Sequence, residues 1–142
     1  MKKVLIINSN YYKKISENLY IQARNQLNDN KIKSSVIYVP GVFEIPVTIK
    51  KYVKKFDAFL ALGCVIKGET PHFDLICQST FDAFMKISID YSKPIGNGII
   101  TCLNMKQALA RSVNSKNFSK ANKGLEAAKA VISIFRNEPK NT

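Results

Sequence analysis

Four short apolar runs rich in β-branched residues alternate with stretches whose apolar residues recur every three or four positions, and this alternation leaves few folds open. Lys3–Ile7, Ser34–Val39, Ala58–Ile66 and Ile95–Leu103 have strand length, and their unbroken apolar character predicts strands covered on both faces. The third is the most apolar and is expected at the centre of the sheet. Ile15, Leu19, Ala23 and Leu27 step by four and share one helical face, with Ser16 as the expected cap and Asn28-Asp29-Asn30 as the stop. Glu44 to about Lys54 reads as a helix with Pro46 tolerated in its first turn and Ile45, Ile49 and Val53 turned inward. A long helix is expected from Asp74 to about Asp90, with Leu75, Ile76, Phe84 and Ile87 facing the core. Asn104 suits the cap of a short helix reaching Arg111, and Ser112–Ala121 reads as a loop. Leu125, Ala128, Ile132 and Phe135, at steps of 3, 4 and 3, mark a last helix.

Strands alternating with helices predict an α/β fold with a parallel sheet covered on two sides. The 142 residues suit one domain spanning 1–142, since neither a repeat nor a linker interrupts the pattern. In open sheets of this kind ligands bind outside the carboxyl ends of the strands. Those ends carry Asn8–Tyr12, Pro40–Glu44, Lys67–Phe73 and Thr101–Asn104.

Charge is a weaker guide. Twenty-two Lys and Arg against 10 Asp and Glu give +12, which favours nucleic acid, anionic membranes or acidic small molecules as partners. Nineteen of those cations are Lys and three are Arg, in a chain also rich in Ile and Asn, a bias of composition more than of a binding surface. Lys50, Lys51, Lys54 and Lys55 crowd the solvent side of a helix, and no RNA-recognition motif or Arg-rich segment occurs, so nucleic acid is not an expected partner. No window of about 18 apolar residues exists to span a membrane. The run after Met1-Lys2-Lys3 is too short for a secretory signal. Cys64, Cys77 and Cys102, an odd number at wide spacing, suit reduced thiols in the cytoplasm, and one His with no CxxC offers no zinc site.

The strand-end loops hold the chemistry. Gly63–Phe73 contains the only histidine, His72, a residue type suited to shuttling protons at neutral pH. Gly68 allows backbone N–H groups close to a ligand and Thr70 adds a hydroxyl; with the helix that follows they can cradle a phosphate. Neither a GxGxxG nor a GxxxxGK[ST] motif is present, so dinucleotide and ATP readings lack support. Glu44 either accepts hydrogen bonds from polyol hydroxyls or partners a helix dipole. Phe43 and Tyr11 suit stacking on a flat heterocycle or ordinary packing at the rim. Arg111 suits bidentate phosphate binding or interaction with helix-end carbonyls.

Several segments resemble one family. Val39–Pro46 (VPGVFEIP) is similar to the PG[AS]FEIP segment of lumazine synthases, and Gly63–Phe73 (GCVIKGETPHF) to their GCVI[RK]G-x-T-x-H segment. Pro94–Thr101 (PIGNGIIT), Gln107–Arg111 (QALAR) and Asn122–Ala128 (NKGLEAA) resemble further family segments in the same order along nearly the whole chain. The resemblance implies a flavodoxin-like three-layer sandwich on a four-stranded parallel sheet. It implies condensation of 5-amino-6-(D-ribitylamino)uracil with 3,4-dihydroxy-2-butanone 4-phosphate to 6,7-dimethyl-8-ribityllumazine, phosphate and water, the penultimate step of riboflavin synthesis. No cofactor and no metal is expected. The active site is expected between neighbouring subunits of a pentamer.

By the same resemblance His72 is the proton-transfer residue. Val42, Phe43 and Glu44 hold the ribityl chain, and Val65 and Ile66 read the pyrimidine through their backbone. Tyr11 stacks on the ring, and Lys123 approaches the pyrimidine from the adjacent subunit. Gly68, Glu69, Thr70 and Arg111 hold the phosphate. Asn97 occupies a pyrimidine-contacting position where relatives often carry Phe, and Tyr12 one where many carry Asn. The stretch between Arg111 and Lys123 reads as longer than in shell-forming relatives, and little chain precedes the first strand. A pentamer, or a pair of pentamers, is therefore expected in place of a sixty-subunit shell.

Overall fold

A computed structural model describes residues 1–115 and 121–142. The chain forms β1 (Lys3–Ser9), α1 (Lys13–Asp29), β2 (Lys33–Val39), a 3-10 turn (Val42–Glu44), α2 (Ile45–Tyr52), β3 (Ala58–Ile66), α3 (His72–Tyr91), β4 (Ile95–Cys102), α4 (Met105–Ala110) and α5 (Lys123–Arg136). The four strands are all parallel in the order β2-β1-β3-β4. With helices on both faces, this is a flavodoxin-like three-layer sandwich. The chain first moves outward from β1 to β2, then returns past β1 to β3, so the strand order reverses between β1 and β3. A crevice at the carboxyl ends of those two strands follows from that reversal.

Side-chain alternation on β1 and β3 builds the two cores. Val4, Ile6, Leu60 and Leu62 point to one face, where Leu19 and Leu27 of α1 and Ala128 and Ile132 of α5 close over them. Leu5, Ile7, Phe59 and Ala61 point to the other, under Ile45 and Ile49 of α2 and Phe84 of α3. Leu19, Leu27, Ile45 and Ile49 are fully buried, each contributing about 1.5–3 kcal/mol by leaving water. The predicted inward faces of α1 and α2 are thus the observed ones.

Four expectations need correction. Ser16 does not cap α1. The helix starts at Lys13 with no side-chain cap, and the buried Ser16 hydroxyl donates to the Ser9 carbonyl, tying α1 to the end of β1. β2 is not covered on both faces: it is the sheet edge, and Tyr38 on it is exposed. α3 opens at His72, two residues before Asp74, which draws His72 and Phe73 out of the expected loop and into the first helical turn. Leu75 does not face the core, being 64% exposed. α4 carries its expected cap, the Asn104 side chain accepting from the Gln107 N–H at 2.9 Å. After α4 the backbone is pinned by a Ser112–Asn122 bridge and by Lys123 N–H donating to Arg111 O at 2.9 Å. The central part of the expected long loop, 116–120, lies outside the described residues.

Candidate functional site

A cavity of about 700 Å³ opens at the carboxyl ends of β1 and β3, at the point where the strand order reverses. Each wall comes from a different strand end. The loop after β1 brings Tyr11 and Tyr12, the turn after β2 brings Val42, Phe43 and Glu44, and β3 ends in Val65 and Ile66. The first turns of α3 bring His72 and Ile76.

The local sequence explains these positions. Pro40-Gly41 ends β2, and the Glu44 N–H donates to the Gly41 carbonyl at 3.2 Å, winding the 3-10 turn that holds Phe43 and Glu44 beside the cavity. Glu44 O in turn accepts from the Thr48 hydroxyl at 2.8 Å, locking the turn onto α2. Phe43 is 62% exposed and Tyr11 74%, so both rings stand at the rim as open faces. Tyr11 meets Tyr12 edge-on, with centroids 4.9 Å apart. Across the cavity, the His72 N–H donates to Thr70 Oγ1 at 3.4 Å, a local turn that starts α3 at the histidine.

Cys64, Val65, Ile66 and Ile76 supply an apolar part of the lining. Cys64 and Cys102 are buried on adjacent strands, as their apolar runs predict. Burial, then the neighbouring Cys102 thiol, pushes the Cys64 thiol up to about 12. Burial followed by the proximity of Cys64 also raises the Tyr12 phenol. Both groups are therefore held in their neutral, protonated forms at physiological pH.

A second cavity, about 450 Å³, runs along the open edge of β4. It contains Asn97, Thr101, Arg111, Lys123 and Glu126. Arg111 closes α4, and Lys123 opens α5 with its ammonium 3.5 Å from Glu126. The Asn97 side chain accepts from the Ile99 N–H at 3.0 Å, so its carbonyl is occupied by the strand and its NH₂ remains for other partners. Within the chain these two cavities are lined by different residues, with His72 and Glu44 in the first and Arg111 and Lys123 in the second.

The sequence profile of the family described as 6,7-dimethyl-8-ribityllumazine synthase matches residues 1–138. The chain belongs to this family. It is 38% identical over 130 residues to the 6,7-dimethyl-8-ribityllumazine synthase of Corynebacterium kroppenstedtii, covering 92% of this chain and 80% of that one. The enzyme of the same name from Methylorubrum populi is 37% identical over 140 residues, covering 94% and 80%. That from Mycobacterium leprae is 38% identical over 128 residues, covering 89% and 79%.

Seen as a lumazine synthase, the chain gathers Tyr11, Val42, Phe43, Glu44, Val65, Ile66 and His72 around one cavity. It gathers Asn97, Arg111 and Lys123 around the other. Gly68, Glu69 and Thr70 form the exposed connection between β3 and α3 and line neither. Four lining residues were not singled out from the sequence as part of the site: Ser9, Gly41, Cys64 and Ile76. Ser9 is the last residue of β1, at the strand end that the parallel-sheet rule marks, but a lone serine ending an apolar run carries no signal of its own. Among the described residues no helix is long and apolar enough to cross a membrane.

Proposed function

We propose that this chain is a working lumazine synthase, condensing 5-amino-6-(D-ribitylamino)uracil with 3,4-dihydroxy-2-butanone 4-phosphate, as its family membership and sequence-derived site imply. The observation that carries the reading is the cavity at the β1/β3 reversal, where open aromatic faces, a carboxylate and the histidine meet. In this reading Tyr11 and Phe43 flank the flat pyrimidine, whose edge is read by the backbone of Val65 and Ile66. Glu44 accepts from ribityl hydroxyls.

The amine of the pyrimidine attacks the ketone, giving a carbinolamine and then, with loss of water, an imine. Proton abstraction and departure of phosphate follow, and the ribitylamino nitrogen closes the ring on the new carbonyl with loss of a second water. His72 moves protons in these steps, an effect of typically 10²–10⁴-fold. Holding two substrates in register supplies much of the rest.

The phosphate requires cations, and Arg111 and Lys123 lie in the other cavity of the same chain. We therefore read the site as shared, with the first cavity of one subunit facing the β4-edge cavity of the next, and Gly68–Thr70 meeting the phosphate at the join. A ring of five subunits satisfies this head-to-tail pairing. The exposed apolar residues Val47, Leu75, Met85 and Ile89 on α2 and α3 support a surface covered by other copies. Residues 1–142 act as one domain in a cytoplasmic enzyme that needs no cofactor.

The deciding experiment mixes purified protein with the two substrates and follows lumazine absorbance and released phosphate. Both should appear in equal amounts. A folded protein that binds the pyrimidine and releases neither overturns the reading.

A further inference from the structure

We propose that Ser9 is an additional substrate-binding residue, its hydroxyl pairing with a hydroxyl of the ribityl chain; this rests on the reading of the site given above. Ser9 ends β1, is 1% exposed and lines the 700 Å³ cavity. Its Oγ has no hydrogen-bond partner among the described residues. A buried hydroxyl left unpaired is costly, and buried polar atoms are nearly always satisfied. A polar group arriving in the cavity satisfies this one.

The surroundings explain why no described residue does so. Strand alternation sends Ser9 to the face of Leu5 and Ile7, against Val42 and the bare backbone of Gly63. A Cβ on Gly63 would lie 3.0 Å from both the Ser9 Cβ and a Val42 methyl, so glycine is what keeps this corner open. The backbone around Ser9 is fixed independently of its hydroxyl. Ser16 donates to the Ser9 carbonyl, and Asn8 Nδ2 donates to the Ser16 carbonyl at 3.1 Å. The end of β1 is pinned to α1 while Oγ is left without a partner among the described residues.

The neighbours choose the ligand class. Among the described lining residues there is neither Lys nor Arg, and Glu44 is a carboxylate, so this corner disfavours a phosphate. A neutral group able both to donate and to accept suits it. Ser9 adjoins Val42, in the segment that carries Glu44, so the matching part of the substrate is the polyol chain.

Ser9→Ala tests this. The KM for the ribitylaminouracil should rise about tenfold, the worth of a buried neutral hydrogen bond, with KM for the butanone phosphate unchanged. A competitive inhibitor carrying ethyl in place of ribityl should bind wild type and variant equally. The thermal midpoint of the ligand-free variant should stay level or rise, because an unpaired hydroxyl is removed; a merely structural serine would lower it. Unchanged affinity for the ribityl substrate, or equal weakening of ribityl and ethyl ligands, overturns the proposal. Ser9→Gly serves as the second variant if alanine disturbs folding, with the same affinity criteria. Should wild type make no lumazine at all, the site reading fails first and this inference falls with it.

Discussion

Gly124 at the start of α5 lies so close to Leu19 of α1 that a Cβ there would sit 2.8 Å from the Leu19 carbonyl carbon and 3.0 Å from its Cα. Both partners are backbone atoms, so neither can swing aside. Gly124→Ala should force α5 away from α1 and lower stability by about 2–3 kcal/mol, as overpacking does. Lys123 precedes this contact, so the displacement should also weaken the function of the β4-edge cavity. Chemical denaturation of Gly124→Ala beside Lys129→Ala, on the exposed side of the same helix, checks the first point. The second variant should stay within about 0.5 kcal/mol of wild type.

The Cys64 thiol couples stability to alkaline pH. Its neutral form is favoured in the fold, with the pKa raised from 9.0 to about 12, chiefly by burial. An acid whose folded pKa is raised stabilises the fold fully below its unfolded pKa and loses that contribution as pH climbs toward the folded value. The loss therefore begins above about pH 9 and grows as the pH climbs toward the folded value. The stability gap between wild type and Cys64→Ala should be constant below pH 8 and shift against wild type above pH 9. A gap that stays constant to pH 11 would refute the assignment. By the same reasoning Cys64 should resist alkylation in the folded protein at pH 8.

Much of this architecture is legible in the sequence because burial on both faces leaves a direct trace. β3, Ala58–Ile66, has the limits its apolar run implies, and Ile45, Ile49 and Val53 are buried as their spacing requires. The errors fall where one residue type serves two purposes. Ser16 has the chemistry of a helix cap, yet its hydroxyl bonds to Ser9 across the β1–α1 junction, a contact no local pattern encodes. Leu75 carries helical spacing toward a core, yet it stands 64% exposed on a surface proposed to face another copy. A periodicity cannot say whether its apolar face is covered by the same chain or by the next one. For the site, the strand-end rule finds the loops of Tyr11, Glu44 and His72. It does not say that Arg111 and Lys123 open onto the far side of β4, because that depends on strand order.

The exposed apolar side of α3 gives a separate test of assembly. Met85 and Ile89 lie one turn apart and are 62% and 68% exposed, so a charge at either position costs the isolated subunit little. Ile89→Asp should leave the circular dichroism of the subunit intact while shifting the mass in light scattering toward monomer. Condensation should drop by more than about tenfold, since burying an unpaired carboxylate in an interface is costly. A variant that keeps both its mass and its activity would show that α3 does not contact a neighbour.

The proposed sharing of the site between subunits makes the sharpest prediction. His72→Ala should lower turnover by about 10²-fold without abolishing it, because orientation of the two substrates survives the loss of the proton carrier. Arg111→Ala should act mainly on the KM of the butanone phosphate, since a cation for the phosphate is lost. The two residues line different cavities of one chain. If each site pairs the first cavity of one subunit with the second cavity of its neighbour, a one-to-one co-assembly of the two variants rebuilds intact sites. Random placement around a closed ring gives about a quarter of sites with both residues present. Assayed at limiting butanone phosphate, where the Arg111 variant is also nearly silent, co-expressed and co-purified variants should therefore show about a quarter of wild-type activity, well above either variant alone, and re-sorting by refolding with excess of one variant should lower it. Activity equal to the average of the separate variants would mean that each chain completes its own site.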